Sequence, residues 1–266
     1  MDIAPDLKAA LWETAEALAD AAAAETLPLF RSRGLGTVNK ATSGFDPVTE
    51  ADRAAERAMR DVLGRRRPAD GILGEEFDAV AARSGLTWVL DPIDGTRAFL
   101  SGAPTWGTLI GLNAGEAPLI GVIDQPYVGE RFMGGLGRAE LRRRANTTAL
   151  ATRTCAGLDG AILYTTFPAI GTDPERLAFE RVRDRVRLTR YGFDCYAYAL
   201  VALGHVDLVI EAGLQSYDIQ GPMAVVTAAG GIVSDWQGGP AHRGGQVIAA
   251  GDAQTHAAAL DLLAAT

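Results

Sequence analysis

Apolar residues at Leu7, Leu11, Ala15, Leu18 and Ala22 recur at helical spacing and predict a helix over 5–27. The next stretch, 34–46, is polar and glycine-bearing and reads as a mobile loop carrying Lys40. A second predicted helix has Ala51, Ala55, Met59 and Val62 on its inner face. Thr49-Glu50-Ala51-Asp52 at its start has the form of a capping box, which alone would account for Asp52. A short strand at 71–74 leads into Glu75-Glu76, and a strand at 87–90 leads into Asp91-Pro92-Ile93-Asp94-Gly95-Thr96. Antiparallel strands are predicted at 107–112, 118–124 and 131–134, with a turn at Gly115-Glu116. Residues 135–160 are arginine-rich and weakly periodic. They read as a seam between an N-terminal α+β subdomain, 1–140, and a C-terminal α/β subdomain, 141–266.

In the second half strands and helices alternate. A strand at 160–165 precedes a helix opened by Asp173-Pro174, and a strand at 187–190 precedes a helix from Asp194 to Gly204. A strand at 206–212 carries Glu211, and a helix runs from Asp218 to the Gly230-Gly231 stop. Strands at 231–236 and 247–250 and a terminal helix complete an α/β pattern of helices packed on a sheet.

Composition narrows the function classes. Asp and Glu total 33 against 25 Lys and Arg, a formal net charge of −8, so no general nucleic-acid surface is expected. The arginine clusters 65–67 and 142–144 read as solvated helix ends or loops. Cys155 and Cys195 have no metal-like spacing, which fits a reducing, cytoplasmic compartment. Neither a signal peptide nor an apolar run of the ~20 residues needed to span a bilayer is expected.

The candidate chemistry centres on 87–96. Pro92 pushes Asp91 towards an extended backbone at the strand's end, and Gly95 allows close approach of a ligand to main-chain amides. Two carboxylates so close repel each other unless a cation lies between them, and hard cations such as Mg²⁺ prefer oxygen ligands. An Asx-type turn explains one of the two aspartates but not both. Glu75, Asp91, Asp94 and Asp218 each stand at an element edge, and Thr96 lies beside them. With no catalytic Ser–His pair, metal-assisted hydrolysis of a phosphate ester is the reaction this set suits. His205, His242 and His256 lack ligand spacing and are expected as surface or core residues.

Gly74-Glu75-Glu76, Asp91-Pro92-Ile93-Asp94-Gly95-Thr96 and Tyr217-Asp218 before a helix ending in Ala229-Gly230-Gly231 resemble the inositol monophosphatase family over essentially the whole chain. Phe45 to Glu56, Asp124-Gln125-Pro126-Tyr127, Glu130-Arg131-Phe132 and Asp194-Cys195-Tyr196-Ala197-Tyr198 look most like its histidinol-phosphate phosphatases, enzymes of histidine biosynthesis. One departure is Tyr217, where many members carry tryptophan. The resemblance implies a layered α-β-α-β-α sandwich, commonly a homodimer, that hydrolyses a small phosphomonoester with Mg²⁺, without nucleic-acid or membrane partners. It implies that Glu75, Asp91 and the Ile93 carbonyl hold one Mg²⁺, and that Asp91, Asp94 and Asp218 hold a second. A third, weaker Mg²⁺ would sit near Glu75. By the same resemblance Gly95 and Thr96 receive the phosphate, while Thr96, Asp52 and Glu75 orient and deprotonate the attacking water. Lys40 would bring positive charge to the phosphate, and Glu211 and Asp194 would meet the leaving group.

Inositol phosphate and nucleotide 3′-phosphate remain alternative substrates, and a non-catalytic phosphate-binding protein is the remote alternative. Phosphoaspartate chemistry of the haloacid dehalogenase type wants carboxylates two apart, whereas Asp91 and Asp94 are three apart with Pro92 between them.

Overall fold

The computed structural model describes residues 3–33, 37–39, 47–115 and 117–265, with only the backbone at 37–39 and 47. Its layers follow from the two-residue period of strands. In the first sheet, β3 (Gly71–Gly74), β4 (Thr87–Asp94), β5 (Gly107–Asn113), β6 (Pro118–Gln125), β7 (Glu130–Gly135), β8 (Arg138–Arg143) and β9 (Asn146–Ala149) lie side by side in chain order. Ile110, Leu112, Ile120, Val122 and Met133 point to one face and pack on α1 (Pro5–Thr26) and α2 (Glu50–Arg66). Leu109, Ile123 and Phe132, one residue out of phase, point to the other face, towards α5 (Tyr196–Ala202) and α6 (Ser216–Ala228).

A second sheet, in the order β11 (Leu188–Tyr191), β10 (Ile162–Thr165), β12 (Leu208–Leu214), β14 (Gly245–Ala250), β13 (Ile232–Ser234), closes over α5 and α6. Val209, Val247 and Ala249 face that helical layer. Leu208, Ile210 and Ile248 face away, towards α4 (Asp173–Arg183) and α7 (Ala253–Ala264). The result is α-β-α-β-α. Among the described residues, no helix is long and apolar enough to cross a membrane.

The central helix α6 carries Gly221-Pro222 in its interior, a pair that weakens an isolated helix. Its seat explains the glycine. A Cβ at Gly221 would lie 3.1 Å from the carbonyl oxygens of Ile110 and Val122, and one at Gly121 would lie 2.1 Å from the carbonyl oxygen of Gly221. Helix backbone therefore rests directly on sheet backbone. Gly121→Ala should cost about 1–3 kcal/mol through overpacking, which lowers Tm by about 2–10 °C in a chain of this size. Calorimetry checks this, and an unchanged Tm would mean that α6 is not held by this contact.

Several boundaries differ from those read in the sequence. Leu7 is exposed and the buried stripe of α1 begins at Leu11. The stretch 34–46 contains β1 (Thr37–Asn39), paired antiparallel with β2 (Pro47–Thr49), so part of the expected loop is a ladder; Lys40 lies outside the described residues. β4 runs on through Pro92 to Asp94, with a break in register between Asp91 and Asp94 that lets proline sit in a paired strand. The expected seam holds β8 and β9, and β8 spans the 140/141 boundary. Its arginines are not in a loop: Arg138 and Arg142 both bond Glu16 of α1. α4 is capped by Thr172, which forms a box with Glu175, rather than by Asp173. The second helix of the second half begins at Tyr196 instead of Asp194, because Asp194 has φ +46 and cannot continue into a helix.

Candidate metal and phosphate site

β4 pairs in parallel with β3 and antiparallel with β5, so the sheet changes direction at this strand. Parallel register sets Gly74 opposite Leu90, so Glu75, just past the end of β3, follows beside Asp91 within β4. The Asx-type bond foreseen in the sequence is present, since the Ile93 amide donates to Asp91 Oδ1 at 3.0 Å. It coexists with a carboxylate cluster: one oxygen from each of Asp91, Asp94 and Asp218 lies within 4.8 Å of the others. Asp218 arrives from the first turn of α6, where its Oδ2 also accepts the Gln215 amide at 2.6 Å. Asp94 is held from the opposite side of the cleft by the Cys195 amide, at 2.6 Å.

Asp91 is 2% exposed. Burial, compounded by Glu75, Asp94 and Asp218, pushes its carboxyl well above the ordinary range. Asp94 moves the same way, through burial and then Asp194 and Asp218. Oxygen donors that repel one another in a low-dielectric site suit a hard divalent cation, so the donor set fits the metal expected there.

The turn beneath the cluster is rigid. The Ile93 side chain is buried with Phe99 and Trp106, whose rings meet edge-on at 4.9 Å. Gly95 has φ +82, and a Cβ there would stand 2.8 Å from Asp194 Cγ, so glycine is required on both counts. Asp52 performs two tasks. Its Oδ2 accepts the Thr49 amide at 2.8 Å as a cap, and its Oδ1 accepts from Thr96 Oγ1 at 3.4 Å. Thr96 Oγ1 also lies 3.2 Å from the Ile93 carbonyl oxygen.

Glu75, Ile93, Gly95, Thr96, Asp194 and Glu211 all line one cleft of about 360 Å³ with the three aspartates. Asp194 Oδ2 accepts from Thr105 Oγ1 at 2.9 Å. It is not a helix cap. Glu211 is buried and accepts from the Thr166 amide at 2.6 Å and from the hydroxyls of Thr166 and Thr165.

Other residues of the site have no sequence signal. Glu56 lies under Gly74, accepts the Glu76 amide at 2.7 Å and pairs with Arg60, holding the turn that presents Glu75. Thr105 and Thr166 hold the two cleft carboxylates, and Phe167, 57% exposed, stands at the rim. The histidines take no part in the cluster: His256 bonds Ser234 Oγ at 2.8 Å in the core.

A model of the inositol monophosphatase family matches residues 8–265. The chain is 41% identical over 258 residues to a protein of Arabidopsis thaliana named bifunctional phosphatase IMPL2, chloroplastic, covering 93% of this chain and 73% of that one. It is 34% identical over 242 residues to a histidinol-phosphatase of Streptomyces coelicolor, covering 88% of this chain and 90% of that one. Among solved structures, an inositol monophosphatase from Zymomonas mobilis matches with a TM-score of 0.82 at 39% identity, over 98% of this chain and 99% of that one.

Proposed function

The chain belongs to the inositol monophosphatase family, and within it we propose a Mg²⁺-dependent hydrolase of an amine-bearing phosphomonoester, with L-histidinol phosphate as substrate. One observation carries the choice: the cleft has two carboxylates, Asp194 and Glu211, beyond the metal cluster. An ammonium group next to the ester would pair with them, whereas a polyol offers only hydroxyls. Similarity to a histidinol-phosphatase supports the reading. Phe167 gives an imidazole ring an apolar surface at the rim.

Glu75, Asp91, Asp94, Asp218 and the Ile93 carbonyl would hold two Mg²⁺, with a third near Glu75. When bound, the cations supply positive charge to the phosphoryl oxygens and acidify water. The amides of Gly95 and Thr96 hold the phosphate. Thr96, steadied by Asp52, orients the attacking water, and Glu75 takes its proton. Asp194 and Glu211 orient the leaving group. Lys40 is proposed to add positive charge at the phosphate, and the protein is proposed to work as a homodimer.

A second reading, hydrolysis of inositol phosphate, is favoured by the match to the Zymomonas mobilis structure. Turnover of histidinol phosphate, inositol 1-phosphate and adenosine 3′,5′-bisphosphate with Mg²⁺ separates the readings. Histidinol phosphate should have the highest kcat/KM by at least about tenfold, and preference for either of the others would overturn the assignment. Chelation should abolish turnover and lower Tm, and Mg²⁺ should restore both, because a cation bound only to the folded state stabilises it. Full activity after exhaustive chelation would remove the metal from the mechanism.

A further inference from the structure

Two tyrosines on the short helix α5 end differently. Tyr196 donates its hydroxyl to Glu130. The Tyr198 ring is buried in the core between the sheets, 3% exposed, yet its hydroxyl has no partner among the described residues. A buried hydroxyl without a partner is a net cost to folding, and a tyrosine retained for packing alone needs no hydroxyl. Tyr198 is one of the residues that line the main cleft, together with Glu211, Asp94 and Asp218, and burial followed by those three carboxylates raises its phenol well above the ordinary range. It shares that cleft with the cluster that faces the phosphate and with the carboxylate assigned to the leaving group. The ester bond has to pass between those two.

We propose that the Tyr198 hydroxyl donates a hydrogen bond to the bridging ester oxygen of the substrate and stabilises the charge that grows there as the P–O bond breaks. The bonding electron pair stays on that oxygen, water adds to phosphorus from the opposite side, and the departing alkoxide takes its proton from solvent water while tyrosine keeps its own. Burial beside carboxylates holds the phenol in its protonated, donating form. The proposal rests on phosphomonoester hydrolysis and not on which alcohol leaves, so a failed histidinol assignment would not affect it.

Tyr198→Phe tests it with Mg²⁺ and a series of esters running from p-nitrophenyl phosphate through phenyl phosphate to simple alkyl phosphates. A donor to the bridging oxygen matters most when the leaving oxygen is most basic. The variant should lose about 10- to 100-fold in kcat with alkyl phosphates and less than about threefold with p-nitrophenyl phosphate, which steepens the dependence of rate on leaving-group basicity. Its Tm should equal or exceed that of the unaltered protein, with or without Mg²⁺, since no bond within the protein is lost. A loss of the same size across the series, no loss at all, or a clear fall in Tm would each show that the hydroxyl serves the fold or nothing, and would overturn the assignment.

Discussion

Asp91→Asn should lower kcat/KM by more than about a thousandfold, because removing an outer partner of a metal ligand already costs about 10- to 100-fold and Asp91 is central to the cluster. It is the buried member of the three-carboxylate group, beside Glu75 just past the end of the parallel strand. Glu76→Gln is the comparison. The backbone of Glu76 is tied to Glu56 and its carboxylate stands 3.7 Å from Arg53, so it supports the turn without joining the cluster. A loss of about tenfold is expected there.

Stability should move in the opposite direction. Burial and three acidic neighbours make ionised Asp91 unfavourable in the metal-free protein, so Asp91→Asn without Mg²⁺ should be at least as stable as the unaltered chain. It should also lose most of the rise in Tm on adding Mg²⁺. Equal losses of activity in the two variants, or an undiminished Mg²⁺ response in Asp91→Asn, would sink the ligand assignment.

The second large effect concerns selectivity. Asp194→Asn and Glu211→Gln should each reduce kcat/KM for histidinol phosphate by about 10- to 100-fold, since a hydrogen bond to a charged group contributes roughly 1.5–3 kcal/mol. A neutral phosphomonoester should be little affected. Burial, opposed by three hydrogen bonds from Thr166 and Thr165, pushes Glu211 up to about 7. Only the carboxylate form pairs with an ammonium group. The ratio of kcat/KM for histidinol phosphate to that for a neutral ester should therefore fall as pH drops through about 7, and taking the ratio removes ionisation of the phosphate itself. Glu211→Gln should flatten the ratio.

A folded value above the ordinary 4.5 also means that ionising Glu211 costs stability as pH rises between 4.5 and about 7. The glutamine variant should thus be no less stable on the alkaline side, which separates loss of recognition from loss of fold. Parallel losses with both substrates in both variants would leave the amine reading without physical support.

The chemistry of this chain was legible where local pattern and chemistry coincide. A strand ending in Asp91-Pro92-Ile93-Asp94-Gly95-Thr96 concentrates carboxylates and a tight turn within ten residues, and Thr49 to Asp52 states its own cap. The strands expected at 107–112 and 118–124 are near-continuous apolar runs, and both their faces are covered, because side chains one residue apart point opposite ways.

Other features had no local signal. Arginines in β8 resemble a solvated loop until Glu16 of α1 is brought beside them. Asp194 reads as the first residue of a helix until its left-handed backbone and Thr105, distant in sequence, turn it into the cleft. Glu56 became a support for Glu75 only because Gly74 leaves room for it. The sequence by itself pointed to the carboxylates that could ligate a cation and to most of the strands and helices, since those depend on residue type and short-range period, while the ladders in the expected loop and seam needed partners from elsewhere in the chain. Only the tertiary structure decided which carboxylates share the cleft and which polar groups, Tyr198 among them, are left for a ligand. Those are distances between elements far apart in the chain, set by how the two sheets close on α5 and α6.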